Sequence, residues 1–324
     1  MDKQLRRLLG GGLAVALMAL GCAGAGAQSY PSKPVRAIVP FGTGGNTDAA
    51  ARILSAKLSE RWGQQVMVEN RTGADGNIGT EAAVKAPPDG YTLYFATQTL
   101  TINRVVAPSP AFDPLKDLAP IAQVGVTDFV LGVHPSVPVN SLAELIKYAK
   151  DNPGKLRYGA TSYLGEFAVE QFNNFAGLRI ERVPYRNMAN VQVDLLAGRI
   201  EFFFTTPASV AQYIAAGKLK ALGVTSEKPL PTLPNVKSIA SELPGLKVAT
   251  WYAVLAPLKT PPEIIAKVNA DLRWALEQPD VREGLEKVGV EVRASSPQEL
   301  HALMLKDVEL VEDFVRRGVM KVRN

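Results

Sequence analysis

The sequence predicts an α/β protein of two lobes, each with an open, mostly parallel sheet flanked by helices, joined by two crossover strands. Short runs rich in β-branched residues alternate with helical patterns over nearly the whole chain, which is typical of such sheets. A chain of 324 residues is too long for one small core and suits two lobes. Glycine-rich or hydroxyl-rich loops follow three successive strand patterns, where open α/β sheets bind ligands.

The strand patterns and the absence of a long linker predict how the chain is divided. The segments that resemble strands are Val35–Val39, Val66–Glu69, Thr92–Ala96, Ile121–Val124, Val130–Val133, Arg157–Gly159, Ile180–Val183, Ile200–Phe204, Leu219–Val224 and Thr250–Ala256. Sheet-like segments lie on both sides of Thr127 and Ala249, so we place the two crossings there. The first lobe is then 28–127 with 250–324, and the second is 128–249.

The first residues resemble an export signal. Met1–Arg7 is basic, Leu8–Leu20 is apolar, and small residues ending at Ala27 form a cleavage pattern, so residues 1–27 are predicted to be a signal peptide. The apolar run is shorter than the roughly 20 residues that span a bilayer. Lipid anchoring at Cys22 is the alternative, and either route exports the chain.

Composition excludes some classes of partner and stabilising bond. Cys22 is the one cysteine, so the mature chain would have no disulfide and would rely on core burial. The formal net charge of +5 is mild, and no basic run is interleaved with aromatic residues. We therefore expect no nucleic-acid partner.

Two helices have clear start signals. Ser141 is followed three residues later by Glu144, and Ser296 by Glu299, which is the capping-box pattern. Pro297 occupies the first helical position of the second, where its missing N–H costs nothing. Apolar residues then recur at helical spacing, so the C-terminal helix is predicted to dock on a core.

The stretch "VPFGTGGNTDAAAR", from Val39 to Arg52, combines a strand end, a glycine turn and the start of a helix. Helix starts leave N–H groups unpaired and carry partial positive charge, so such a turn suits an anion. An ordinary βα turn is the alternative. The stretch is not a dinucleotide fingerprint, because its glycines do not have the Gly-x-Gly-x-x-Gly spacing. It is not a phosphate loop, because no Gly-Lys-Ser/Thr follows.

Two further loops belong at the same sheet edge. They are "NRTGADGNIGT", from Asn70 to Thr80, and "TQTLT", from Thr97 to Thr101. Three consecutive loops rich in backbone donors and hydroxyls predict a ligand site there.

The chain is similar to the Bug family, the periplasmic receptors of tripartite tricarboxylate transporters. The blocks that carry this resemblance, in order from about Tyr30 to the C-terminus, are "YPSKPVRAIVPFGTGGNTDAAAR", "GQQVMVENRTGADGNIGT", "PPDGYTLYFAT", "VPYRNMANVQVDLLAGRIEFFF", "GKLKALGVTS" and "GLEKVGVEV". The resemblance implies a type 2 periplasmic binding protein, a monomer whose lobes close over a small carboxylate and deliver it to transporter membrane subunits. Dicarboxylates or aromatic acids are favoured, and which carboxylate binds stays open.

The resemblance also implies a set of binding residues, in which backbone amides and hydroxyls surround the ligand carboxylate. The first-lobe residues are Phe41, Thr43, Gly44, Gly45, Asn46, Thr47, Asp48, Thr97, Gln98 and Thr99. Asp48 is also suited to capping its own helix rather than touching an anion. Thr205 and Thr206 are second-lobe candidates because they follow a strand's carboxyl end.

The second lobe departs from the family pattern in two places. In "YGATSYLGEFAVEQF" the usual His is missing, and Thr161, Ser162 and Tyr163 occupy the turn. The usual Val-Pro-Tyr-Lys-Gly ends here in Arg186 and Asn187. Tyr163 and Asn187 can each face the ligand or form exposed loop, and Arg186 can clamp a carboxylate or serve lobe closure.

Catalysis requires a poised acid, base, nucleophile or metal, and the sequence provides little of this. His134 and His301 are expected to lie far from the pocket, and no zinc-binding cluster or nucleophile elbow is present. We therefore predict no catalytic residue, no metal and no cofactor. Two alternatives to a periplasmic transport receptor stay open, namely a ligand-sensing partner of a membrane sensor kinase and an exported enzyme acting on a carboxylate.

Overall fold

The computed structural model describes residues 30–109, 111–185, 188–227, 230, 232–246 and 248–322. The strands are β1 (Val35–Val39), β2 (Val66–Asn70), β3 (Thr92–Thr97), β4 (Leu118–Asp128), β5 (Val130–Val133), β6 (Arg157–Ala160), β7 (Glu181–Pro184), β8 (Phe202–Thr205), β9 (Lys220–Val224), β10 (Ala249–Pro257) and β11 (Glu291–Val292). The helices are α1 (Asn46–Trp62), α2 (Asn77–Val84), α3 (Thr99–Val106), α4 (Pro114–Asp117), α5 (Leu142–Asp151), α6 (Tyr163–Ala176), α7 (Met188–Leu196), α8 (Ala211–Ala215), α9 (Pro262–Glu277), α10 (Pro279–Lys287) and α11 (Pro297–Arg316). The predicted signal peptide and Cys22 lie outside the described residues.

These strands form two mixed sheets. The first sheet has the order β11-β4-β10-β3-β1-β2, with β1 parallel to both β2 and β3 and with β10 antiparallel to β3 and β4. The second has the order β7-β6-β8-β5-β9, with β6 parallel to β7 and β8 and with β5 antiparallel to β8 and β9. Their parallel strands are joined through helices, as βαβ connections require.

The predicted α/β fold class is confirmed, and each of the ten strand patterns corresponds to an observed strand. The two-residue strand β11 escaped prediction because it is too short to show a period. Strand directions are more mixed than the expected mostly parallel sheets. In the first sheet, β10 runs antiparallel to both of its neighbours, β3 and β4. In the second sheet, β5 runs antiparallel to both β8 and β9.

The chain passes between the sheets at two adjacent points. β4 ends at Asp128 and β5 begins at Val130, while the return strand β10 begins at Ala249. Ala249 is paired with Asp128, and Thr250 with Thr127, in an antiparallel ladder. The predicted crossings therefore lie side by side, and the lobe boundaries drawn from them stay a prediction.

Aromatic side chains fill the core of the second sheet. The Phe172 ring on α6 stacks on Phe202 of β8, with centroids 5.7 Å apart, and meets Phe204 edge-on. All three side chains are buried. Burial of each contributes about 1.5–3 kcal/mol relative to exposure.

A separate apolar cluster connects elements of both sheets. Ile102 and Val106 of α3 pack with Phe167 of α6 and Phe314 of α11. The Phe167 and Phe314 ring centroids are 5.5 Å apart. This cluster lies beside the start of α6, so it helps to determine where that helix begins relative to the first sheet.

Candidate ligand-binding site

A cavity of about 400 Å³ is lined by loops from both sheets. Its lining residues are Ala74, Asp75, Asn77, Ala107, Pro108, Thr161, Ser162, Tyr163 and Arg182. We call this the first cavity. Thr161, Ser162 and Tyr163, predicted from the altered second-lobe turn, all line it, so the structure brings these three candidates together.

A second cavity, too narrow in this conformation to admit a water molecule, lies at the carboxyl ends of β1 and β3. It is lined by Pro40, Phe41, Asp75, Gly76, Thr80, Tyr94, Thr97, Thr99, Leu100 and Asn103. Three predicted residues, Phe41, Thr97 and Thr99, belong to it. Asp75 lines both cavities and is the residue they share.

Backbone contacts hold the loop after β2 at this place. A Cβ on Gly79 would lie 2.8 Å from both the Arg71 carbonyl oxygen and the Pro40 Cα, so α2 approaches the end of β1 as closely as only glycine permits. Asn103 on α3 donates through Nδ2 to the Asp75 carbonyl, at 2.8 Å, and to Asn77 Oδ1, at 3.1 Å. The loop and α3 therefore form one wall.

One hydrogen bond joins the two sides of the first cavity. The Tyr163 amide, at the start of α6, donates to Asp75 Oδ2 at 2.9 Å. Ser162 is the N-cap residue of α6, and its Oγ accepts from the Gly165 amide. The serine thus satisfies one free amide of the helix start and Asp75 satisfies another.

The glycine turn before α1 is arranged around Asp48. Its Oδ2 accepts from the Gly44 amide at 3.0 Å and from Arg52 Nε at 2.9 Å, and its Oδ1 accepts from Asn70 Nδ2 at 2.8 Å. Burial acts to raise the pKa of Asp48, yet these hydrogen bonds together hold it below its usual value. Asp48 lines neither cavity, and its contacts fit the alternative capping role rather than ligand contact.

The turn itself is open. Thr43, Gly44 and Gly45 are exposed and line neither cavity. Gly44 has φ of 84°, which favours glycine, and Gly45 is the N-cap residue of α1 without a side-chain hydrogen bond. Because the Gly44 amide donates to Asp48, Gly45 is the glycine of this turn whose exposed backbone remains available to a ligand.

Asn46 and Thr47 begin α1 below that turn. Asn46 approaches the buried Tyr252 hydroxyl, and its Nδ2 is buried without a hydrogen-bond partner of standard geometry. Tyr252 is paired with Thr97 in the ladder between β10 and β3. Asn46 is thus an unsatisfied donor near the strand end that carries Thr97, whereas Thr47 is buried and lines neither cavity.

Gln98 is directed away from both cavities. Its side chain lies within hydrogen-bonding reach of Asp307 on α11, which also accepts from Trp251 Nε1. Burial raises the pKa of Asp307 to about 6, against the lowering effect of these donors. Gln98 therefore packs against α11, while its neighbours Thr97 and Thr99 line the second cavity.

The remaining second-sheet candidates are not brought to the cavities. Thr206 Oγ1 lies 3.2 Å from Ser209 Oγ, and neither Thr205 nor Thr206 lines them. Asn187 and Arg186 lie outside the described residues.

Asp75, Asn77 and Arg182 are lining residues that the sequence reasoning missed. Arg182 Nε lies 3.2 Å from Glu166 Oε2 but makes no hydrogen bond of standard geometry. Asp75 could have been predicted as a site residue, because it is an acidic residue between glycines in a loop at the carboxyl end of a strand. No such signal marks Arg182, whose strand pattern indicates only packing.

Metal and membrane chemistry receive no support from the described part of the chain. Within it, no three His, Cys, Asp or Glu side chains come together as a metal site requires. No helix there is both long and apolar enough to span a bilayer.

Comparison with known proteins gives consistent matches. The model of the tripartite tricarboxylate transporter family receptor matches residues 50–317. Protein BugT of Bordetella pertussis is 33% identical, over 92% of this chain and 93% of BugT. A solved R. palustris protein with adipate is 33% identical with a TM-score of 0.79, over 89% of this chain and 97% of its own. MatC from Rhodopseudomonas palustris with bound malate is 27% identical with a TM-score of 0.76, over 88% of this chain and 100% of MatC.

Proposed function

Because this chain belongs to the tripartite tricarboxylate transporter receptor family, we propose that it captures a small carboxylate in the periplasm for transporter membrane subunits. The observation that carries the proposal is the first cavity, which is lined from both sheets and crossed by the hydrogen bond between Tyr163 and Asp75. Similar proteins solved with adipate and malate support a carboxylate as the ligand. The sequence favours a dicarboxylate or an aromatic acid.

Binding would begin on the first lobe. Thr97 and Thr99 line the second cavity beside Phe41, and the exposed Gly45 lies at a helix start, where partial positive charge favours anions. Nδ2 of Asn46 is buried without a hydrogen-bond acceptor, so it adds a donor that a ligand oxygen would satisfy. These groups stabilise a carboxylate without a cationic side chain.

Capture would be completed by the second lobe. Thr161, Ser162 and Tyr163 approach from the opposite side, so movement of 128–249 against 28–127 and 250–324 would bury the ligand. The paired strands around Thr127 and Ala249 would absorb the rotation. Closure then presents a changed surface to the membrane subunits.

The test is a thermal-shift screen of the mature protein, stripped of ligand, against aliphatic diacids, citrate, nicotinate, terephthalate, aspartate and glutamate. A ligand at a hundred times its Kd adds about 2.7 kcal/mol to the free energy of unfolding, enough for a clear rise in Tm. A hit that is recovered chemically unchanged supports a receptor. Conversion of the hit to product, or silence across the panel, would overturn the proposal.

A further inference from the structure

Asp75 occupies a strained backbone position at the junction of the two cavities. Its φ and ψ are 51° and 38°, and Ala74 before it also has a positive φ of 47°. Such left-handed conformations are costly for residues other than glycine, although Asp tolerates them better than most. Because Asn103 fixes the Asp75 carbonyl, the strained backbone keeps its side chain between the cavities.

Among the described residues, only one of the two carboxylate oxygens of Asp75 accepts a hydrogen bond. Oδ2 accepts the Tyr163 amide, and among the described residues Oδ1 accepts no hydrogen bond. No Lys, Arg or His of the described ranges forms an ion pair with Asp75. Burial raises the pKa of this carboxyl, opposed by the single amide donor.

The arginine among the lining residues of the first cavity is paired with another carboxylate. Arg182 lines the first cavity and faces Glu166 across 3.2 Å, so these two charges offset each other. A ligand that fills the cavity therefore meets Asp75 as a negative group that no cation of the described residues compensates. A second carboxylate placed there is repelled, whereas an N–H group gains a charge-assisted hydrogen bond.

We infer that the ligand carries, besides the carboxylate, a hydrogen-bond donor such as an ammonium or amide N–H, which Oδ1 of Asp75 accepts. This inference rests on the proposed function, since it assumes that a carboxylate is captured at this site. It narrows the ligand class from plain diacids to amino acids or acid amides. Asp75 then determines specificity, while the Gly45 amide and the threonine hydroxyls hold the carboxylate.

The test compares ligands that differ only at one end. The pairs are succinate with 4-aminobutanoate, adipate with 6-aminohexanoate, and terephthalate with its monoamide, with Kd measured by calorimetry. Wild-type protein is expected to bind the donor-bearing member of at least one pair about tenfold or more tightly than the diacid. Asp75→Asn keeps the acceptor for Tyr163 but loses the charge, so the ammonium ligand should weaken about 10- to 100-fold and the diacid should gain.

Asp151→Asn is the matched control, because Asp151 is exposed at the end of α5 and lines neither cavity. It removes the same charge and should leave every Kd unchanged. If the diacids bind as well as their partners and Asp75→Asn leaves the ratios unchanged, carboxylate capture stands and the role of Asp75 in specificity is wrong. If neither these pairs nor the carboxylates of the thermal-shift screen bind, the proposed function fails and this inference with it. Should Asp75→Asn not fold, the wild-type ratios alone decide.

Discussion

Asp48 and Asp75 are two carboxylates at neighbouring strand ends with opposite surroundings. Asp48 receives a guanidinium, an amide and a side-chain carboxamide, which together lower its pKa despite burial. Asp75 receives one backbone amide, and burial raises its pKa. At the scale of single residues, the first carboxylate stabilises a turn and the second remains able to bind a ligand.

The exposed turn allows a direct test of its amides. A Cβ on Gly45 would meet only the Gly42 carbonyl, 3.9 Å away, and the backbone there is extended, so Gly45→Val should fold normally. If the Gly45 amide binds the carboxylate, the two methyl groups of the valine should lower affinity at least about tenfold. Calorimetry with a ligand found in the screen measures this, with Gly45→Ala expected to be intermediate. Wild-type affinity in folded Gly45→Val would mean that the turn serves only to start α1.

Asp307 should make stability depend on pH. Its folded pKa of about 6 lies above the usual value for an aspartate, so the folded state holds the proton more tightly. Protonated Asp307 therefore favours folding at low pH, and this contribution is lost as pH rises from about 4 through 6. Asp307→Asn mimics the protonated form and should gain at most about 3 kcal/mol at pH 7. The Tm difference between variant and wild type should grow from pH 4 to pH 7, and a difference independent of pH would contradict the prediction.

At the scale of elements, α6 contributes to both the site and the packing. Its first residues line the first cavity, while Phe167, about one turn after that start, packs against Phe314 of α11. The helix start can present Ser162 and Tyr163 at a fixed place only if this packing holds the helix. Site geometry therefore depends on apolar contacts outside the cavities.

Truncation of Phe167 tests how much this packing stabilises the protein. Phe167 is fully buried, so Phe167→Ala should cost about 3–5 kcal/mol in the free energy of unfolding through lost transfer energy and a cavity. Phe175→Ala on the same helix is the control, because that ring is 44% exposed and its loss should cost about 1 kcal/mol or less. Urea denaturation measures both. Equal losses would show that the cluster around Phe167 contributes no special stability.

At the scale of the whole molecule, the two sheets are connected by crossover strands and by a shared apolar cluster. The crossover strands β4 and β10 are paired along their length, and α3, α6 and α11 share one apolar cluster. The bond between Tyr163 and Asp75 is a polar link across the first cavity. Hinged capture requires connecting strands that can bend and a cavity that can close. The crossover strands β4 and β10 and the first cavity are the parts of this chain suited to these two roles.

Ligand binding should make the molecule more compact. Small-angle scattering of protein saturated with a ligand from the screen is expected to give a smaller radius of gyration than ligand-free protein, because closure removes the open cleft. The calorimetric end point verifies saturation. The same radius in both states would contradict lobe closure while leaving binding itself intact.

Local patterns predicted the strands and the two N-caps of this chain. Val35–Val39 and Val130–Val133 were predicted with their observed bounds, and the capping box of Ser296 and Glu299 forms in full. At Ser141 the serine caps α5, but Glu144 accepts from the Asn140 amide instead of closing the box. Such features depend on residues within a few positions of one another, which a sequence displays directly.

The sequence by itself determined the fold class and the family, because periodicity, turn residues and ordered motif blocks are local, and it predicted the sheet edge at which a ligand would bind. Only the tertiary structure decided which side chains face that space. It turned Gln98 toward Asp307, left Thr205 and Thr206 outside the cavities, and placed Asp75 against the Tyr163 amide, 88 positions along the chain. The physical reason is that these contacts are set by the packing of separate loops and helices, whose relative placement no local pattern encodes.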